Sequence, residues 1–425
     1  MSRTPKPTRW TVAQHGMLPT PSPFTQAVKL ALVALAVVVV AAASVGTFLI
    51  YDLTSTYKGH AVTLEDQPAP PAADQPGGGS IRTAMAGGVN VLLVGTDICE
   101  SSYAQELGKR CTGPQANYTS ANNDVNLLLH ISDNPRRVTV ISFPRDMVVR
   151  TPSCERPDGG TAPATSASML NTTYSYGGLS CVAKTISRLT GIGIPYAASI
   201  TFGGVINVTD AIGGVRVCVA NGIDDPYTHL RLSPGMHTVK GLEALQFLRT
   251  RHGLVAGSDL ARISNQQQYL SRLVRKLVDG GELSDPVTLY KLASAVVRNI
   301  TPSDTLTDPA TLVRIALAVK SVPFDQIVLV QYPTVTDPHN ANRLLPDKDA
   351  ATTLIAALKA NKQLKITGDG SPEHGVVTQP SKGSPSPSPT RSPSPSPTPG
   401  DEAALPSTIS GTTAADNTCA NGNGR

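Results

Sequence analysis

Aromatic residues are scarce, with one tryptophan, 11 tyrosines and six phenylalanines making up 4% of the chain. Charge is scarce too: the net value is +5 over 425 residues, with no long basic run. Those shortages exclude the basic patch interleaved with aromatic platforms that nucleic acid demands, so no nucleic-acid partner is expected. Catalytic signatures with strict local spacing are missing as well. The chain has no G-x-S-x-G elbow, no P-loop and no H-E-x-x-H. Serine hydrolase, nucleotide hydrolase and zinc protease readings therefore have no support. The six cysteines (Cys99, Cys111, Cys154, Cys181, Cys218 and Cys419) form no C-x-x-C pair, which speaks against a thiolate metal site.

One long apolar run is present. Leu30 to Tyr51 is 22 residues without a charge, preceded by Arg3, Lys6, Arg9 and Lys29 and by no acid. A helix needs roughly 20 apolar residues to cross a bilayer. The basic flank stays inside, which sends everything after Tyr51 outward. A cleaved signal peptide is the rival reading, but its apolar core would run only roughly 7–15 residues. The sequence thus predicts a cytoplasmic N-terminus at 1–29, an uncleaved span at 30–51 and an extracytoplasmic remainder. An even number of cysteines in that compartment suggests disulfides. Cys99 with Cys111, and Cys154 with Cys181, would each close a short loop, although many other pairings are open.

Composition divides the rest. Residues 52–86 read as a Pro/Gly-rich linker, 87–280 as a globular domain, 281–368 as its C-terminal extension and 369–425 as a Ser/Pro-rich disordered tail. Short apolar, β-branched runs at 89–95, 125–131, 137–143 and 213–219 predict strands, the first three covered on both faces. Helical patterns occupy 180–191, 238–250 and 259–280. The mixture predicts an α/β fold with helices layered on a central sheet.

Polar residues cluster at the ends of these runs. Asp97 follows the first strand and Asp124 precedes the second. Two carboxylates at strand ends can hold a hard divalent cation that binds pyrophosphate oxygens, or each can close a turn. Arg145 and Asp146 leave the third strand in "SFPRD", where proline fixes the direction; a loop salt bridge is the plain reading. Arg249, Arg251 and Arg262 fall within one short stretch that contains no lysine. Arginine grips phosphate bidentately, which lysine cannot, while a solvated helix face is the plain reading of the same three residues. On one helix Arg249 and Arg251 would diverge by about 200°, so they can share a ligand only if the helix stops near Arg249. The glycines of "HGLVAG" make that stop credible. Ser258 or Asp259 then caps the next helix, where Arg262 and Gln266 share a face. His130 and His252 have no partner in sequence and read as structural.

The motifs "NVLLVGTD", "NDVNLLLHI", "VTVISFPRD", "FGGVINVTDAIGGVRV" and "GLEALQFLRTRH…SDLARISNQQ" together resemble the LytR-CpsA-Psr proteins of Gram-positive cell envelopes. They span about 87 to 280, and 285–365 resembles an extension seen in actinobacterial members. The resemblance implies a mixed central sheet flanked by helices, with an apolar cavity for a polyprenyl tail. It implies a transferase that moves a glycan from a polyprenyl-pyrophosphate carrier onto peptidoglycan at the membrane, with magnesium or manganese. By motif, Asp97 and Asp124 resemble the metal- or pyrophosphate-organising pair, Arg145, Arg249, Arg251 and Arg262 the phosphate-binding arginines, and Gln266 the polar residue beside them. The reaction would be displacement at the anomeric carbon with the lipid pyrophosphate leaving. A pyrophosphatase using the same residues, or a non-catalytic envelope regulator, are the alternatives. Asn265 stands where the family commonly has an arginine and Ala261 where it has glycine, which implies a clamp one charge weaker or one tuned to a different head group. Asn123 replaces a small residue, with little effect expected.

Overall fold

The computed structural model describes residues 55–70, 88–114, 116, 121–279, 286–368, 375–378 and 401–424. The predicted leader at 1–29 and span at 30–51 lie outside them. Among the described residues no helix is long and apolar enough to cross a membrane.

The principal elements begin with β1 (Val89–Thr96), β2 (Asn123–Ile131), β3 (Val138–Ser142), α1 (Thr173–Thr190) and β4 (Tyr196–Ile200). They continue with α2 (Phe202–Ala211), β5 (Val215–Asn221), β6 (Gly235–Val239), α3 (Gly241–Arg249) and α4 (Asp259–Asp279). Next come α5 (Pro286–Asn299), β7 (Ile300–Pro302), α6 (Pro309–Lys320), β8 (Ile327–Gln331) and α7 (Lys348–Lys359). Last are β9 (Val376–Thr378), β10 (Gly411–Thr413) and β11 (Thr418–Asn421).

The central sheet has seven strands in the order β7-β4-β1-β2-β3-β8-β10. β1 runs parallel to β4 and β3 parallel to β8, while the remaining pairs are antiparallel. Side chains alternate across a strand, so β1 serves two layers. Leu92 and Val94 pack with Leu128, Ile141, the α1 residues Val182 and Ile186, and Leu354 of α7. Val89 and Val91 face the opposite layer, where Ala318 of α6 and the partly buried Leu270 and Val274 of α4 close over the sheet. Each fully buried leucine contributes about 1.5–3 kcal/mol by leaving water. The expected two-sided burial therefore holds, and the strands at 89–96, 123–131, 138–142 and 215–221 match the predicted runs closely.

Three boundaries differ from expectation. Residues 55–70 are no free spacer, because Tyr57 is buried, Val62 bridges Ser303, and Glu65 Oε2 sits 2.9 Å from Lys184 Nζ on α1. The segment read as an extension supplies β7 and β8 to the central sheet, so it is integral to the domain. Most instructive is the tail. The run 379–400 lies outside the described residues, but 401–424 is folded: β10 edges the central sheet, and β11 joins a four-stranded sheet in the order β6-β5-β11-β9. Leu405, Ile409, Ala414 and Ala420 are buried there, giving this stretch the apolar surface that the Ser-Pro run lacks. The sulfurs pair as Cys99–Cys111, Cys154–Cys181 and Cys218–Cys419. Helix α1 also starts before its apolar pattern, bending through non-helical Gly177 and Gly178. The two histidines have local partners: burial lowers the pKa of His130, whose Nδ1 meets Asn90 Oδ1 at 2.7 Å, and the His252 ring packs at a tilt against Tyr227.

Candidate active site

At one end of β1 and β2 the register shifts after Gly95. Thr96 pairs with Asn123, and each is followed directly by an aspartate, Asp97 and Asp124. Asp97 Oδ1 accepts from the Asn122 amide at 2.7 Å, which fixes its carboxylate. Asp124 Oδ1 lies 2.7 Å from Arg145 Nη1. Arg145 reaches it from the turn after β3, where its own carbonyl accepts from Asn171 N at 3.0 Å.

Helix α4 brings the second half of the cluster. Ser258 Oγ accepts from Ala261 N at 3.1 Å and is the N-cap. Asp259, expected as a cap, is instead a buried carboxylate among arginines. Its Oδ1 lies 2.8 Å from Arg262 Nη2 and 3.3 Å from Arg145 Nε, at angles that give ion pairs without well-aligned hydrogen bonds. Arg262 Nη2 also donates to the Asp124 carbonyl at 3.0 Å. Asp146 completes the group 3.8 Å from Arg145 Nε. Burial works against the Arg145 charge, but Asp124 and Asp259 outweigh it and hold its pKa above the ordinary arginine value. Asp146 is pushed above the usual carboxylate range by burial first and by the charge of Asp259 second.

Beside this cluster opens a cavity of about 370 Å³ between the sheet and helices α2, α3 and α4. Its walls include Leu93, Val125, Val208, Leu245 and Leu273. Leu93 is 40% exposed because it faces this space, although β1 is otherwise buried. Asp124, Arg249, Arg262 and Gln266 are the charged and amide groups on the wall. The predicted helix stop is where the arginine pattern requires it: α3 ends at Arg249, and Thr250 turns extended with ψ 133°. The Arg249 guanidinium lies 4.6 Å above the Phe202 ring, a cation–π contact that holds it at the cavity wall.

Sequence and structure part in places. Arg251 and Asp97 are not among the cavity-lining residues. Arg251 sits on the loop after α3, its backbone amide donating to Asp225 Oδ2 at 3.2 Å and its Nη2 3.5 Å from His252 Nε2. Gln266 lines the cavity but gives its amide to the Leu248 carbonyl at 2.9 Å, while Asn265 donates to Phe247 O at 2.8 Å. Both satisfy carbonyls that the end of α3 leaves unpaired, so Asn265 locks α4 onto α3. Asn123, expected to matter little, accepts from Tyr174 N at 3.0 Å and donates to Leu170 O at 3.0 Å, tying β2 to the start of α1.

The donor set suits one hard cation of the magnesium type, which characteristically takes one or two carboxylates and completes its shell with phosphate oxygens and water. Asp97 and Asp124 are two such carboxylates at the ends of adjacent strands, Asp97 Oδ1 accepting from the Asn122 amide and Asp124 Oδ1 paired with Arg145. Among the described residues no group of three or more His, Cys, Asp or Glu forms a metal site made by protein alone. The remaining ligands would have to come with the substrate.

Known proteins resemble parts of this chain. The cell wall biosynthesis protein LcpA of Corynebacterium glutamicum is 29% identical over 235 residues, covering 50% of this chain and 45% of that protein. The polyisoprenyl-teichoic acid–peptidoglycan teichoic acid transferase TagT of Bacillus subtilis is 29% identical over 162 residues, 37% of this chain and 46% of that one. The chain spans about half the length of these curated relatives. A crystallised protein of Streptococcus agalactiae shares the fold, with a TM-score of 0.51 at 20% identity over 64% of this chain and 87% of that one. The family's sequence model reaches beyond the motifs on both sides, matching residues 50–360, and the chain belongs to the LytR_cpsA_psr family.

Proposed function

We propose that the protein is a membrane-anchored transferase that moves a glycopolymer from a polyprenyl-pyrophosphate carrier onto peptidoglycan. The observation that carries this reading is the junction of an apolar cavity with a cluster of arginines, Arg249 and Arg262 on its wall and Arg145 beside them. A ligand that is grease at one end and dense negative charge at the other matches that junction. The apolar run at 30–51 would hold the domain next to the bilayer from which such a carrier comes. The transferase named among the relatives supports the reaction class.

In this mechanism an acceptor hydroxyl attacks the anomeric carbon of the glycan and loses its proton to water, the bond from that carbon to the lipid pyrophosphate breaks, and negative charge collects on the departing pyrophosphate oxygens. Arg145, Arg249 and Arg262 stabilise that charge in a site built before the reaction starts. Asp124 and Asp259 hold Arg145 and Arg262 in place, and the Phe202 ring holds Arg249, so little reorganisation is needed. Asp97 and Asp124 would hold magnesium or manganese, which when bound adds further neutralisation of the pyrophosphate.

The test uses the full chain in detergent with a lipid-pyrophosphate glycan labelled in the sugar, peptidoglycan and magnesium. Label is expected on peptidoglycan, with the rate falling about 10²-fold or more in Arg249→Ala. Chelation is expected to suppress the reaction and added magnesium to restore it. Release of free glycan without acceptor labelling would make the protein a hydrolase. Tight binding without turnover across varied donors and acceptors would make it a binding protein.

A further inference from the structure

A buried carboxylate outside the cavity holds the chain where it leaves α3, between Arg249 at the helix end and Arg251 on the loop. Asp225 closes the short strand Ile223–Asp225 and is 1% exposed. Its Oδ2 accepts from Thr250 Oγ1 at 2.6 Å, Arg251 N at 3.2 Å and Gly253 N at 3.2 Å. Its Oδ1 accepts from Tyr227 N at 2.9 Å and Thr228 N at 3.3 Å. Burial alone would raise its pKa, but these donors outweigh it and hold the carboxyl below the usual range. Hydrogen bonds to the charged form favour it, so the carboxylate stays ionised although it is buried. Its Oδ1 closes a local turn, and its Oδ2 reaches across to the chain after α3. Here Thr250 separates Arg249 from Arg251, so the carboxylate fixes the point where the chain leaves α3. Gly253 approaches so closely that an added Cβ would come within 2.6 Å of Thr250 Oγ1 and 2.9 Å of Asp225 Cβ.

The far end of the chain grips the same loop from outside. Asn423 N donates to Gly253 O at 2.9 Å, and its side-chain amide donates to His252 O at 2.9 Å and to Asp224 O at 3.0 Å. Its Oδ1 accepts from Asp224 N at 3.0 Å. Asn423 follows β11, which the Cys218–Cys419 disulfide ties to β5. The hairpin of Asp225, the arginine loop and the C-terminal segment thus meet in one hydrogen-bonded junction.

We propose that Asp225 and Asn423 are positioning residues that set Arg249, at the point where the chain leaves α3, for the pyrophosphate of the donor. This rests on the phosphate-clamp reading above. It adds that the C-terminal segment beyond the Ser-Pro run is a working part of the donor site. In Asp225→Asn the new amide turns a donor toward N–H or O–H donors whichever way it is oriented, at nearly unchanged volume.

The experiment measures the affinity of the full chain in detergent for geranylgeranyl pyrophosphate and geranylgeranyl monophosphate, with melting temperatures recorded in parallel. The wild type is expected to prefer the pyrophosphate, and Arg249→Ala to lose that preference. Asp225→Asn and Asn423→Ala are expected to lower the pyrophosphate-to-monophosphate ratio about tenfold, which is about 1.4 kcal/mol. A purely structural role would lower the folded fraction and leave the ratio unchanged. Thr250→Val removes one donor and spares the carboxylate, so it serves if Asp225→Asn fails to fold; it is expected to lower the ratio in the same direction. Loss of preference in Arg249→Ala with wild-type ratios in the folded Asp225, Thr250 and Asn423 variants would overturn the positioning roles and leave the clamp standing. No preference in the wild type would overturn the clamp itself.

Discussion

At the scale of single residues, the site is an arrangement of charges already balanced before any ligand arrives. Arg145 has Asp124, Asp259 and Asp146 within 2.7, 3.3 and 3.8 Å, so the cationic cluster does not repel itself apart. Asp259 is the least replaceable partner because both it and Arg262 are buried. Asp259→Ala leaves those guanidinium groups short of a counter-charge, and the midpoint of urea unfolding is expected to fall by the equivalent of about 3 kcal/mol. Asp146 should behave oppositely. Its folded pKa is raised, so its ionised form costs stability, and stability increases as pH falls through that folded value. Asp146→Asn is therefore expected to raise the melting temperature at neutral pH and to flatten its rise toward acid, as calorimetry at two pH values would read. Arg249, Arg262, Asp124 and Gln266, singled out in the sequence at the ends of strand and helix runs, meet on the cavity wall, while Arg251 and Asp97 do not line it. Asp259 was not legible in the sequence, since an aspartate at a helix start has a common and sufficient explanation as a cap. Only its contact with Arg145, distant in sequence, distinguishes the two roles.

At the scale of elements, local pattern and tertiary need agree where burial is two-sided. The runs in β1, β2 and β3 announce strands because both faces are covered, and their apolar continuity records it. The cavity is invisible in the same pattern: Leu93 looks like any other core residue until α2, α3 and α4 are placed and leave space above it. That space yields a prediction about tails. Leu93→Trp fills part of a cavity of about 370 Å³ without disturbing the arginines. A long-chain isoprenoid pyrophosphate is expected to bind about tenfold more weakly, and inorganic pyrophosphate to bind as before. Equal weakening of both would mean that the substitution had moved the charged cluster, and no weakening of either would mean that the tail lies elsewhere. Helix α1 shows the limit of periodicity from the other side. Its first turns carry few apolar residues and bend through two glycines, so only Asn123 and the surrounding packing fix where it begins.

At the scale of the whole molecule, the chain closes on itself in a way composition conceals. The Ser-Pro run has no capacity to bury surface, and reading it as the start of a tail assigned everything after it to disorder. Residues 401–424 instead return to both sheets, covering the edge strand β8 and inserting β11 between β5 and β9. The cysteine that had no short-range partner, Cys419, was the surviving sequence signal for this return, and it pairs with Cys218 across a separation of 201 residues. A disulfide closing so long a loop contributes about 2–5 kcal/mol, most of it by restricting the unfolded chain. A specific protease site placed within 380–400 and then cut should therefore leave one species without reductant and two with it, as gel mobility would reveal. The cut, oxidised protein is expected to melt near the uncut one, because strand pairing and the sulfur bridge both survive. Cutting after Cys419→Ser removes the covalent tie and leaves β10 and β11 to hold by packing and ladder hydrogen bonds alone. That protein is expected to lose its C-terminal piece on dilution and, with it, the pyrophosphate preference. Retention of the preference after the piece has left would show that the arginine loop holds its shape on the grip of Asp225 alone.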